Sequence, residues 1–297
     1  MAARSEHLPL SLRLGIDPAD QPGLAPGRSA RRQPVNLIFG GLLIGLVIVV
    51  ALLAPLIAPY APDTLSVGGL LEAPSAAHPF GTDAFGRDLF SRVVFGARLA
   101  LRLSLLSVAI SVLPGTLFGM LAGYYRGWID QVFSRLIDAW LALPGLLLAL
   151  LVIARTGPSL NGAILALGIA GIPSFYRLAR SVTISLSQQP FIEACRALGA
   201  SGFDLIFRHI LPNLLTSLVV LVTLRLGTFL LAGGSLGFIG LGAQLPDPEW
   251  GALLAEGRDY FDQAWWMFFF PLMAMTLTVL GFNLFGDGLR DRLGIDR

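Results

Sequence analysis

Few side chains in this sequence have the types and spacing to do chemistry. Gly233-Gly234-Ser235-Leu236-Gly237 matches the G-x-S-x-G spacing of a hydrolase nucleophile. That chemistry needs a strand before the serine, a helix after it and a histidine in reach. Ser235 instead ends a long apolar run, and the histidines, His7, His78 and His209, fall in three other segments. The small residues read better as a place where two helices approach closely. There is no H-E-x-x-H pair for a zinc hydrolase and no G-x-x-x-x-G-K-[ST] phosphate loop, so nucleotide hydrolysis is not expected of this chain. His78 and Asp83 are too few for a metal site. Cys195 is the single cysteine, which excludes an internal disulfide and a structural zinc site. Arg225 is different, because it stands alone inside an apolar run.

The elements that carry these residues belong in lipid. Of 297 residues, 55% are hydrophobic and 13% charged, against about 25% charged in an ordinary soluble domain. Apolar runs at 37–58, 98–123, 132–154, 161–180, 213–239 and 265–286 predict an all-α membrane protein of about six transmembrane helices. The fourth is short and reads as broken by Pro173. No barrel-like alternation is present. Residues 1–35 form a polar tail, and 36–97 a first helix followed by a long loop; 98–290 form the core and 291–297 the end. Pro55 and Pro59 crowd the end of the first run, which argues for a retained span over a cleaved signal. Gly115, Gly119 and Gly123 form a stripe that lets two helices approach.

All 21 basic residues are arginine, and their placement predicts orientation. With the amino terminus inside, fourteen arginines fall in inner segments and four (Arg87, Arg92, Arg155, Arg258) in outer ones, so both termini are expected in the cytoplasm. A net charge of +2 gives no reason to expect a nucleic-acid partner. The loops at 59–97 and 240–264, rich in Pro, Gly and aromatics, are expected to be structured outer caps.

The longest inner loop contains PFIEACRALGASGFDLIFRHILP, residues 190–212. Pro190 suits the first turn of a helix, Gly199 its left-handed end, and Ser201 with Asp204 the start of a second helix. The unit is helix, glycine turn, helix, standing out of the membrane where another protein can grip it. Glu193-Ala194-Cys195, then Gly199, then Leu211-Pro212 resembles the EAA loop of ABC importer permeases, with Cys195 in place of a second alanine and Ile210 one position late. HPFGTDAFGRDLFSRVVFGARLAL (78–101), GFIGLGAQLPDPEWGALL (237–254) and FGDGLRDRLG (285–294) are similar to segments of the dipeptide, oligopeptide and nickel permeases, in particular the second of their two permease subunits.

The resemblance implies a type I ABC importer permease fold in a bacterial cytoplasmic (inner) membrane, and a transport subunit rather than an enzyme. It implies that Phe191, Glu193, Ala194, Cys195, Leu198, Gly199, Ala200 and Pro212 couple the chain to an ATPase. Expected partners are a homologous permease, two cytoplasmic ABC ATPases that bind ATP and magnesium, an extracytoplasmic solute-binding protein and membrane lipid; the chain itself needs no cofactor. Arg225 lies near mid-membrane at ~1.5 Å rise per residue from Pro212. There it either lines the translocation path and favours anionic solutes or pairs with an acidic group of the partner permease. Arg98 and Arg102 are expected to snorkel or to bind Asp83 or Asp88. The alternative, a stand-alone secondary transporter or channel, requires repeated halves, and none is evident.

Overall fold

The computed structural model describes residues 35–294, so the tail, apart from Val35, and residues 295–297 lie outside the described part. The helices are α1 (Val35–Ile57), α2 (Leu89–Tyr125), α3 (Gly127–Leu141), α4 (Gly145–Thr156), α5 (Leu160–Leu186), α6 (Pro190–Ala197), α7 (Gly202–Phe238), α8 (Trp250–Asp259) and α9 (Trp266–Leu293). Among the described residues the only strand-like pairing is an isolated bridge between Thr82 and Asp88.

Five helices, α1, α2, α5, α7 and α9, are long and apolar enough to cross a membrane. The predicted third span, 132–154, is instead divided into α3 and α4. Pro144 has no N–H to give the Trp140 carbonyl and disfavours helical geometry at Leu143, so the chain leaves the helix there and restarts at Gly145. At twelve residues, α4 is about 18 Å long, short of a ~30 Å hydrocarbon core. The opposite correction applies at Pro173: α5 runs through it without a break, the proline buried in the bundle, where neighbouring helices hold the chain in line. The start of α2, at Leu89, precedes the predicted one because Asp88 caps it, its carboxylate accepting from the Ser91 amide at 2.8 Å.

The bundle is closed by small residues. A Cβ added at Gly115 would lie 2.7 Å from the Phe175 Cβ, at Gly119 2.6 Å from the Tyr176 carbonyl oxygen, and at Gly123 2.7 Å from that of Arg180. The predicted stripe therefore seats α2 directly against the α5 backbone, a contact no larger side chain would permit. Ser107 and Ser111 tighten the same seam by donating to the carbonyls of Ile164 and Gly168, at 3.2 and 2.6 Å.

Candidate functional site

The segment after α5 folds as its residues require. Gln189 precedes Pro190 at the first turn of α6. The helix ends in a Schellman turn: Gly199 has φ +87°, its N–H donates to the Arg196 carbonyl at 3.0 Å, and the Ala200 N–H donates to the Cys195 carbonyl at 3.1 Å. Ser201 then opens α7, its hydroxyl oxygen accepting from the Asp204 amide at 3.2 Å and its O–H donating to the Asp204 carboxylate at 2.6 Å. From Leu205 to Ile210 the helix widens into a π turn before resuming at Leu211. Pro212 offers no N–H to that turn, which accommodates the missing donor by widening.

Ile192, fully buried, anchors α6 by packing with Leu205 and Ile210, with Tyr124 and Leu186 around them. The predicted coupling residues divide into three groups. Phe191, Glu193, Ala194, Leu198 and Gly199 are exposed, Leu198 at 88%. Cys195 and Ala200 turn inward against the anchor, and Pro212 lies apart, on the first regular turn of α7. Glu193 has no ion-pair partner among the described residues. Arg196 reaches over the Tyr124 ring at 6.0 Å, and Phe203 adds a further exposed aromatic. Sequence reasoning left Ile192 and Phe203 out of this set: the apolar residues of 190–198 follow at mixed helical spacing and single out no buried face.

A second charged region joins the loop between α1 and α2 to α8. Arg92, completely buried, donates from one terminal nitrogen to Asp83 Oδ2 and to Glu256 Oε2, both at 2.6 Å. Arg87 reaches the same two carboxylates, at 2.6 and 3.1 Å. His78 meets Asp88 at 2.9 Å, and the Trp266 indole donates to the Thr82 carbonyl at 3.1 Å. Glu249 caps α8, accepting the amides of Gly251 and Ala252, both at 3.0 Å; burial pushes its carboxyl above the usual range, opposed by those two donors. The two loops are thus one structured cap. Arg98 and Arg102 do not bind its carboxylates, which are already occupied: Arg98 donates to the carbonyls of Ala51 and Leu52, Arg102 to the Asn161 side chain.

Arg225 is half-buried, and one terminal nitrogen donates to Ser174 Oγ at 2.6 Å. No carboxylate pairs with it among the described residues. Ser235 donates back to the Leu231 carbonyl within α7, and His209 is about 39 Å away along the same helix; no hydrolase site forms among the described residues. No group of three or more His, Cys, Asp or Glu side chains capable of holding a metal ion occurs among the described residues.

Residues 115–294 match the family described as the binding-protein-dependent transport system inner membrane component. The chain belongs to it. It is 44% identical over 280 residues to the dipeptide transport system permease protein DppC of Alkalihalophilus pseudofirmus, covering 93% of this chain and 92% of that one. It is 47% identical over 267 residues to the glutathione transport system permease protein GsiD of Escherichia coli O157:H7, covering 90% and 88%. Among solved structures, an inward-facing MetNI methionine ABC transporter chain superposes with a TM-score of 0.55 at 21% identity, covering 69% of this chain and 97% of that one, which shows the fold. The protein is therefore a multi-pass permease subunit of an ATP-driven ABC importer. It is a transport component and not an enzyme, as its sequence resemblance implied.

Proposed function

We propose that this permease imports short peptides or chemically related small solutes, and that α6 is the helix through which a cytoplasmic ATPase drives it. The observation that carries the second part is the two-sidedness of α6. Ile192 fixes the helix to the bundle, while Phe191, Ala194 and Leu198 present apolar surface beside an unpaired Glu193. A helix held from below and open above transmits displacement in both directions. The ATPases, binding ATP and magnesium, would draw together and carry α6 and its counterpart on a homologous permease with them. The spans would tilt to receive solute from an extracytoplasmic binding protein and release it inward after hydrolysis. ATP and solute act by favouring different states of one equilibrium.

In this proposal α6 and both termini lie on the cytoplasmic side and the cap outside, which the arginine distribution favours. Relatives named for dipeptide and glutathione transport favour peptide-like cargo; nickel complexes enter only through the sequence resemblance. In this proposal Arg225 lines the translocation path, where a half-buried cation hydrogen-bonded to the neutral Ser174 hydroxyl favours a solute carboxylate. Replacing it (Arg225→Ala) is expected to abolish a preference for peptides with a free carboxylate over their amides in proteoliposome uptake. Retained uptake with unaltered preference would overturn that role.

Co-expression with the partner permease and ATPase tests the coupling. Wild type is expected to retain the ATPase through purification, and Glu193→Arg to lose it while keeping the permease partner. An ATPase held equally by both removes α6 from the interface.

A further inference from the structure

A groove of about 510 Å³ lies between α1, α2, α7 and α9, walled by Ile48, Leu52, Leu101, Leu105 and Phe282, with Arg98 among its lining residues. We infer that it holds an acyl chain of an anionic phospholipid whose phosphate pairs with Arg98. The inference is independent of the coupling role of α6.

The arginine is held in place by the backbone of α1. Pro55 lies inside that helix and has no N–H, so the Ala51 carbonyl four residues earlier loses its helical donor. Arg98 replaces it, Nε donating to Ala51 at 2.6 Å and a terminal nitrogen to Leu52 at 3.3 Å. Both acceptors are neutral, as is the Phe95 ring that the guanidinium overlies at 5.7 Å, so no negative charge meets the arginine. The nearby carboxylates are committed elsewhere, Asp83 to Arg87 and Arg92 and Asp88 to His78 and Ser91. Arg98 is exposed and pairs with no carboxylate among the described residues.

Depth and shape then select the ligand. Ala51 is six residues from the end of α1 at Ile57, about 9 Å by helical rise, which sets the guanidinium in the outer part of the hydrocarbon, a depth to which local thinning of the bilayer brings a phosphate. A phosphodiester at that depth meets the arginine fork with charge-assisted hydrogen bonds, while its acyl chain covers the apolar walls. A soluble anion would leave those walls bare, and a purely apolar partner would leave the charge unmet.

The test uses the full chain with its partner permease in nanodiscs containing phosphatidylglycerol or phosphatidylcholine, each with a diazirine on one acyl chain. Mass spectrometry after illumination reads labelling on peptides containing Ile48, Leu101 and Leu105. Phosphatidylglycerol is expected to label them several-fold more than phosphatidylcholine. Arg98→Gln should bring the two to the same level. Leu105→Trp fills the groove but leaves Arg98 in place, and should lower labelling by both; it decides the matter even if the Arg98 variant inserts poorly. Equal labelling of wild type by both lipids overturns the inference and leaves ordinary annular lipid. Absent labelling with cross-links from these residues to the partner permease overturns it in favour of a partner helix.

Discussion

In the cap, Arg92 has no exposed surface and Arg87 only 4%, and both are met by Asp83 and Glu256. On α6, Glu193 and Arg196 stand in the open and one apolar side chain of the helix, Ile192, is buried beneath them. The cap pairs its buried arginines internally, two positive charges against two carboxylates, and needs no other protein for that charge balance. The α6 loop is held to the bundle through Ile192 and leaves Phe191, Ala194, Leu198 and the unpaired Glu193 exposed, the surface to which the proposed function assigns the ATPase. One permease therefore carries a region whose buried charges are paired and a region whose exposed charges are not, and under the proposed function the second is where the ATPase docks.

The largest expected effect comes from breaking the paired region. Asp83→Asn leaves Arg87 and Arg92 sharing one carboxylate, in a site where the Arg92 Nε and its other terminal nitrogen already lack partners. Removing one member of a buried pair costs about 3–5 kcal/mol, a fall in Tm on the order of 10 °C for a protein of this size. Thermal unfolding followed by intrinsic tryptophan fluorescence reads it directly. A shift of only about 1–2 °C would show that water or a neighbouring group relieves the cluster, and the contrast with the α6 loop would lose its basis.

An intermediate effect is expected at the attachment of the unpaired region. Ile192→Ala opens a cavity between α6 and α7, for which about 2–4 kcal/mol of local destabilisation is typical. Because α6 is short and terminal to the bundle, that loss should appear as faster amide exchange across residues 190–204, with the Tm set by the spans nearly unchanged. Retention of the ATPase should fall with it. Glu193→Arg separates the two roles: a surface substitution of this kind shifts the chain's own stability by no more than about 0.5 kcal/mol, yet should remove the ATPase. Unchanged exchange in the alanine variant would mean that α6 is held by something other than Ile192.

How legible each region was follows from how local it is. The α6 loop was readable because Pro190, Gly199 and the Ser201–Asp204 pair act within a few residues of themselves, and all three perform as expected. The cap was recognisable as structured, but its central contact was hidden: Arg92 and Glu256 are 164 positions apart, and no local pattern links them. The two prolines show the same division. Pro144 breaks a helix that packs little, as its chemistry dictates, whereas Pro173 is carried through by the α2 surface beside it. The π turn at Leu205–Ile210 lay between these extremes, since Pro212 announces a missing donor without saying how the helix absorbs it.

The smallest expected effect tests whether the cap is as dry as its geometry implies. Glu249 is 2% exposed and has two backbone donors but no cationic partner among the described residues. Burial raises its folded pKa above the ordinary 4.5. As pH rises through that ordinary value the unfolded chain releases its proton first and the folded chain retains it. The unfolded state then binds fewer protons, and stability declines with increasing pH until the raised folded pKa is passed. Wild type should therefore lose a little Tm across the interval beginning near pH 4.5 and extending upward, superimposed on the opposite trend from carboxylates that are paired. Glu249→Gln keeps an acceptor for the α8 amides and cannot titrate, so subtracting its Tm profile from that of wild type isolates the term. A difference profile that rises with pH would mean the carboxylate is stabilised in its charged form by water or an unseen cation, and the cap would not be the closed element its other four charges make it.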